Sequence, residues 1–214
     1  MIDLKKHSFY KPMEVDSIFS HVFQFYFKKF FHLFIFSFIA VFFIQLMAYH
    51  IGFFEIYSMT NNPQEMMNEL SGLMGKVGLY SIGAIIIYGI LNAFLIYYIL
   101  NCEVNPKASP GNLFMESFKK YSVHMIFFLI LSGLILVVGA MAGVFVFIIG
   151  MLLAMIYLGT VLFPGGAIVV AEEKNALEAI GRTFSLCHKD FWSTLGSMVL
   201  FILIMILISI VVSA

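Results

Sequence analysis

The sequence predicts an all-α integral membrane protein: about five transmembrane helices, with three amphipathic interfacial helices on the cytoplasmic side. Three observations predict it. The chain of 214 residues is 62% hydrophobic and only 11% charged, against roughly 25% charged in an average globular domain. A soluble fold of this size has too little interior to hide that much apolar surface. The apolar residues come in unbroken runs of roughly 20, the length that crosses a hydrocarbon core as a helix, and lack the strict alternation of a transmembrane barrel. The basic residues cluster between alternate runs, the asymmetry that orients a multi-span chain.

Taken in order, residues 1–30 form a polar, basic tail and a first amphipathic helix, VDSIFSHVFQFYFKKFF (Val15–Phe31). No small-residue cleavage site follows the first apolar run, so the first span, 31–50, is expected to stay as an anchor. The outer loop, 51–76, contains TNNPQEMMNELSGLMGK. It reads as a short helix capped by Asn62, opened by Pro63 and closed into a capping box by Glu65. Met66, Leu70, Leu73 and Met74 give that helix one greasy face. The second span is 77–100. The segment 101–122 carries a second amphipathic helix within SPGNLFMESFKKYSVHM (Ser109–Met125).

No Asp, Glu, Lys or Arg occurs from Tyr121 to Ala171. One straight helix of that length would overshoot the bilayer, so 123–163 is read as a hairpin of spans three and four. Its turn is placed at GAMAG (Gly139–Gly143), because glycine permits the reversal. The same residues also form a G-x-x-x-G spacing, which lets helices approach closely. The third amphipathic segment is 164–191, and span five is 192–214. The whole chain is one membrane domain. An odd number of spans ending in the apolar ISIVVSA points to a sixth span or a close partner at that end.

Lys5, Lys6, Lys11, Lys28 and Lys29 precede span one. Lys107, Lys119 and Lys120 lie between spans two and three, and Lys174, Arg182 and Lys189 between spans four and five. Of the twelve basic residues only Lys76 falls on the other side, beside Glu55, Glu65 and Glu69. The N-terminus is therefore expected in the cytoplasm. Cys102 and Cys187 then lie in reducing loops, with no disulfide and no paired zinc spacing.

The third amphipathic stretch, NALEAIGRTFSLCHKDFWSTLG, starts with an N-cap, Asn175, and a capping-box acid, Glu178. Leu177, Ile180, Phe184 and Phe191 are expected on an oily face, with Glu178, Arg182, Ser185 and Lys189 on a wet one. Glu178 and Arg182 form a favourable i,i+4 pair. Aligning Phe23, Phe118 and Phe184 brings Ile18, Leu113 and Ala179 into register, then Phe19, Phe114 and Ile180, then the compact Val22, Ser117 and Thr183. Polar capping candidates open each copy: Asp16 or Ser17, Ser109 before Pro110, and Asn175. This degenerate internal repeat describes three helices lying in the interface, each leading into a span.

The stretch FPGGAIVVAEEKNALEAIGRTFSLCHKDFWSTLG (Phe163–Gly196) resembles the signature of the membrane domain attached to some bacterial glycerophosphoryl diester phosphodiesterases, and of its stand-alone relatives. Pro164, Glu173, Ala176, Ala179, Arg182 and Trp192 occupy matching places. Thr183 and Phe184 stand where the family more often has Ser-Trp. The N-terminal amphipathic stretch is similar to the family's opening. The resemblance implies a multi-span helical protein of the bacterial inner membrane with interfacial helices. It does not carry over the phosphodiesterase activity, which belongs to a separate soluble barrel for which this chain has no residues.

Candidate contacts follow from polarity and place. Gln45 and Asn92 lie inside spans, where an amide is expected to bond a neighbouring helix. Arg182 and Glu173 are expected among lipid headgroups or against a partner, with the planar guanidinium suited to phosphate or carboxylate. Lys28, Lys29, Lys119 and Lys120 attract anionic lipid, and Trp192 anchors at the interface. His21, His50 and His124 share no metal-binding spacing, and there is no phosphate loop or nucleophile elbow. A net charge of zero gives no field for nucleic acid. The expected protein is not an enzyme, needs no cofactor, and binds anionic headgroups and a membrane-protein partner or its own copies. The expected role is that of an accessory or scaffold subunit. The alternative is a small transporter or lipid-handling oligomer.

Overall fold

A computed structural model describes the backbone of residues 15–52, 63–105, 108–145 and 147–213. Eight α-helices and no strands occur among the described residues: α1 (Val15–Ile51), α2 (Pro63–Val104), α3 (Pro110–Lys120), α4 (Ser122–Val144), α5 (Phe147–Leu162), α6 (Gly165–Ala171), α7 (Ala176–Cys187) and α8 (Phe191–Ser213). The fold is all-α. Ser20–Ile51, Met74–Cys102, Ser122–Val144 and Ile148–Ala171 are each long and apolar enough to cross a membrane, and α7 with α8 forms a fifth candidate bent by 106°. The chain divides into two compact units, Met1–Ile126 and Phe127–Ala214.

In the first unit, two expected boundaries are absent. The first amphipathic stretch and span one are a single helix of 37 residues, about 55 Å long. No glycine or proline occurs in Val15–Ile51, so nothing interrupts its hydrogen-bond ladder. The short outer helix is likewise continuous with span two in α2, whose 42 residues start at Pro63. Its proposed cap, Asn62, lies outside the described residues, as do Lys5, Lys6, Lys11, Glu55 and Lys107.

α1 packs on α2 through Ala40, Ile44 and Ala48, all buried. Two alanines one turn either side of the isoleucine let the backbones come close, which is how helices pack where lipid removes the hydrophobic driving force. The buried face of α2 is Ala93, Phe94, Tyr97, Tyr98, Asn101 and Cys102. The Phe94 ring lies 4.3 Å from Phe36 and 5.4 Å from Phe114, joining α1, α2 and α3. α3 is separate and amphipathic, as expected. Ser109 accepts a hydrogen bond from the Asn112 amide at 3.3 Å, and Pro110 opens the helix. Leu113, Ser117 and Tyr121 turn inward, while Glu116, Phe118, Lys119 and Lys120 are exposed.

In the second unit, the hairpin of spans three and four is present, but its turn is not at GAMAG. Gly139–Gly143 stays inside α4, which runs on to Val144, and Phe145 follows as a turn. The glycines serve the alternative role. A β-carbon on Gly143 would sit 2.6 Å from the Gly150 carbonyl oxygen and 2.7 Å from the Met151 α-carbon, and one on Gly139 would strike the Leu158 side chain. The two glycines thus mark points where α4 comes close to α5.

The fourth apolar segment also extends beyond its expected end at Phe163. Pro164 breaks the helix for a turn, then α6 carries the run on to Ala171. Gly165 there makes room for the Phe128 ring. Cys102 and Cys187, expected in loops, are free thiols buried in the last turns of α2 and α7.

The hairpin contact yields a test. Gly143→Ala should lower stability by about 1–3 kcal/mol, because backbone must move. Gly133→Ala and Gly159→Ala, with open space around their β-carbons, should be neutral or stabilising by up to about 1 kcal/mol from helix propensity. Unfolding in detergent followed by circular dichroism would separate the three. Equal effects would remove the close-approach explanation.

Candidate functional site: the turn between α6 and α7

The polar feature of the second unit is the sequence AEEKN (Ala171–Asn175), which joins two helices. α6 ends at Glu172. Glu173 then takes φ 54°, the only non-glycine residue with positive φ among the described residues. This left-handed conformation costs an L-residue roughly 1–2 kcal/mol and reverses the chain within one residue. Asn175 follows as N-cap, its side-chain oxygen accepting from the Glu178 amide at 2.9 Å. The cap is worth about 1 kcal/mol and fixes where α7 begins.

The reversal lets Arg182, almost two turns into α7, reach back. Its Nε donates to both carboxylate oxygens of Glu172, at 3.1 and 3.2 Å. Lys174 Nζ lies 3.1 Å from Oε2 of the same group. Arg182 therefore pairs with Glu172 across the turn, and the expected i,i+4 pair with Glu178 is not what holds it. Because only Nε is engaged, the two terminal guanidinium nitrogens make no hydrogen bond among the described residues. With Glu173 beside them, the two acids and two cations of the turn balance in charge. Burial opposes ionisation of Glu172, but the bonds from Lys174 and Arg182 outweigh it and hold the carboxyl below its usual range. Both side chains of the Glu172–Arg182 pair are about a third exposed, at 30% and 38%, so salt weakens the pair.

α7 packs on α5 and α6 through a face the sequence reading did not select. Ala176, Ala179, Thr183 and Cys187 are buried, whereas Leu177, expected on the oily face, is 71% exposed. Phe191 belongs to α8, and Lys189 to the intervening bend. Small residues win the interior because α5 and α6 approach closely there. The large ones are left to meet an apolar surrounding. At its far end α7 is tied to α5: the Tyr157 hydroxyl is 2.9 Å from His188 Nε2, while His188 Nδ1 lies 2.6 Å from the Phe184 carbonyl oxygen. The latter contact assigns the proton to Nδ1, so Nε2 accepts from the tyrosine. Trp192, 80% exposed, opens α8 with its ring against Phe191.

Among the other expected contact residues, Lys28, Lys119 and Lys120 are exposed and Lys29 is half-buried. Lys120 Nζ lies 5.2 Å from the centre of the Tyr121 ring. The two intramembrane amides correct an expectation. Gln45 and Asn92 both face outward, and Asn92 donates to the Tyr88 carbonyl of its own helix at 2.8 Å. The amide that is buried in α2 is Asn101, which donates to the Tyr97 carbonyl at 3.0 Å. Sequence reasoning missed Asn101 because it falls at the polar end of the span. Glu172 was missed because the doublet Glu172–Glu173 does not disclose which acid the turn points inward. No cluster of three metal-ligating side chains occurs among the described residues.

Chemically, the corner offers the terminal guanidinium nitrogens of Arg182 and a lysine beside the carboxylates of Glu172 and Glu173, with the exposed Leu177 in the first turn of α7. Compared with protein-family models, curated proteins and solved structures, the chain matches none.

The depressed carboxyl sets a pH dependence. The Glu172 contribution is complete above the ordinary glutamate value near about pH 4.3 and is lost as pH falls through the lower folded-state value. Thermal unfolding of the wild type should therefore lose stability in acid relative to Glu172→Gln. The two curves should converge below both values. A constant gap from pH 7 down to 3 would show that the pair contributes nothing.

Proposed function

We propose that this protein is a non-enzymatic, multi-span subunit of the bacterial inner membrane, with its N-terminus in the cytoplasm, acting as an accessory or scaffold through lipid headgroups and a membrane-protein partner. The observation that carries the reading is the α7 corner. Its compact face is packed, Leu177 is exposed, as is Trp192 at the start of α8, and the terminal nitrogens of Arg182 are unengaged among the described residues. A helix in the interface has this arrangement: apolar side chains enter the acyl region while a cation holds phosphate.

The internal repeat belongs to the same proposal. Leu113, Ser117 and Tyr121 of α3 correspond in register to Ala179, Thr183 and Cys187 of α7, and all six are buried. The N-terminal copy differs: Val22 is exposed in the unbroken α1. Kinship with the phosphodiesterase-associated membrane domain rests on Pro164, Glu173, Ala176, Ala179, Arg182 and Trp192, and supports the same non-catalytic reading.

One feature favours the alternative, a lipid-handling oligomer. Phe43, Leu46, Met47, His50 and Ile87 line an open apolar groove of about 400 Å³ between α1 and α2, a shape that accepts an acyl chain.

Purification into native nanodiscs followed by mass spectrometry tests the choice. A stoichiometric membrane protein is expected with the chain. One lipid class retained without protein would transfer the function to lipid handling. Arg182→Gln should reduce co-purified anionic lipid about fivefold, the effect of roughly one surface cation. Unchanged lipid would remove Arg182 from the binding surface.

A further inference from the structure

The outward face of α1 carries a heptad. Phe27, Phe31, Phe34, Phe38, Val41 and Gln45 follow one another at alternating steps of four and three residues. Positions so spaced form one continuous line along a helix that supercoils with a partner. All six side chains are exposed, with Phe27 at 72% and Phe31 at 75%. α1 meets α2 through a different face, that of Ala40, Ile44 and Ala48. The seam ends where Ala48, the next position in the series, turns into that contact. Its rings are already ordered: Phe34 stacks on Phe30 at 5.6 Å and on Phe38 at 5.9 Å.

Lipid can cover the phenylalanines, but it cannot satisfy Gln45. This amide lies within the candidate span Ser20–Ile51. Unlike Asn92, it makes no hydrogen bond with any described residue. A primary amide carries both donors and an acceptor, so it is complementary to a copy of itself. A twofold axis along paired parallel helices brings each position opposite its own equivalent. In a parallel coiled coil, a single polar residue on the seam sets register and oligomer state. The area is sufficient: at about 200 Å² per aromatic side chain, the face offers about 500 Å² per copy, or about 1,000 Å² for a pair, the lower bound for a specific interface.

We propose that the occupant of this face is a second copy of the chain, docked in parallel along α1, with the two Gln45 amides hydrogen-bonded to each other. The inference goes beyond the accessory role and stands without it.

Oxidative cross-linking of the full-length protein in native membranes tests it. Single substitutions Phe34→Cys, Phe38→Cys and Val41→Cys sample the seam, and Ile35→Cys and Ile39→Cys lie off it. Cys102 and Cys187 are buried, so the unsubstituted chain gives the background. Covalent dimers several-fold more abundant at the three seam positions are expected. No dimer, or equal yields at all five, overturns the proposal.

A second measurement, energy transfer between labelled copies diluted in lipid, reads the amide. Gln45→Leu should weaken the dimer about 3- to 20-fold, the range of an interhelical hydrogen bond in lipid, and Gln45→Asn should keep most of it. Helical content checks that each variant folds. A Gln45→Leu dimer as tight as the wild type overturns the pairing. A chain that is monomeric beside a different stoichiometric protein overturns the dimer and leaves the accessory role standing. A dimer retaining no other protein does the reverse.

Discussion

A peptide group in hydrocarbon has no water to bond, and each unsatisfied one costs several kcal/mol. That constraint underlies every element of this molecule. It makes continuous helix the cheapest path wherever no residue forbids it, which is why the first amphipathic stretch does not bend away from its span. It also confines the breaks. Between helices, the described interruptions fall at Asn105 and at Ala108 and Ser109, at Tyr121, at Phe145, at Phe163 and Pro164, at 172–175 and at 188–190. At several of them a specific group takes over from the ladder. Ser109 and Asn175 cap the helices that follow, and the Ile168 amide still reaches the Pro164 carbonyl at 3.2 Å.

Once the helices are made, their contacts obey a rule different from that of a soluble core. Lipid tails are as apolar as leucine, so burying a large side chain against protein gains little over leaving it in the bilayer. Close approach and packing decide instead. The buried positions of α1 are Ala40, Ile44 and Ala48, and those of α7 are Ala176, Ala179, Thr183 and Cys187. Gly143 does the same for the α4–α5 hairpin. Phenylalanines and isoleucines fill the outside, with Phe31 at 75% and Ile148 at 78% exposure. Some aromatic residues do enter the interior: Phe94 meets the half-buried Phe36 and Phe114, and Phe128 lies against Gly165.

Charge is then left for the helix ends. Glu172, Lys174 and Arg182 are brought together by one left-handed residue, Glu173, and the four charges of the turn balance. The same logic distinguishes the two outward amides. Asn92 donates to its own helix, whereas Gln45 makes no hydrogen bond with a described residue. Polar groups inside a membrane are costly enough that an unmet one points to a partner.

The sequence by itself determined the class, the approximate spans, the amphipathic nature of α3 and α7, and the caps Ser109 and Asn175, though not Asp16 or Ser17, which lie inside α1. What it determined follows from local composition and from hydrogen bonds within four residues. It also exposed the glycine edge, but not its use. Only the tertiary structure decided that Gly139–Gly143 packs instead of turning, that α7 buries its small face, that Glu172 and not Glu178 holds Arg182, and that Asn101 and not Asn92 is enclosed. Each of these depends on how near a second helix comes. Helical periodicity places side chains around one axis, but it contains no information about the distance to the next.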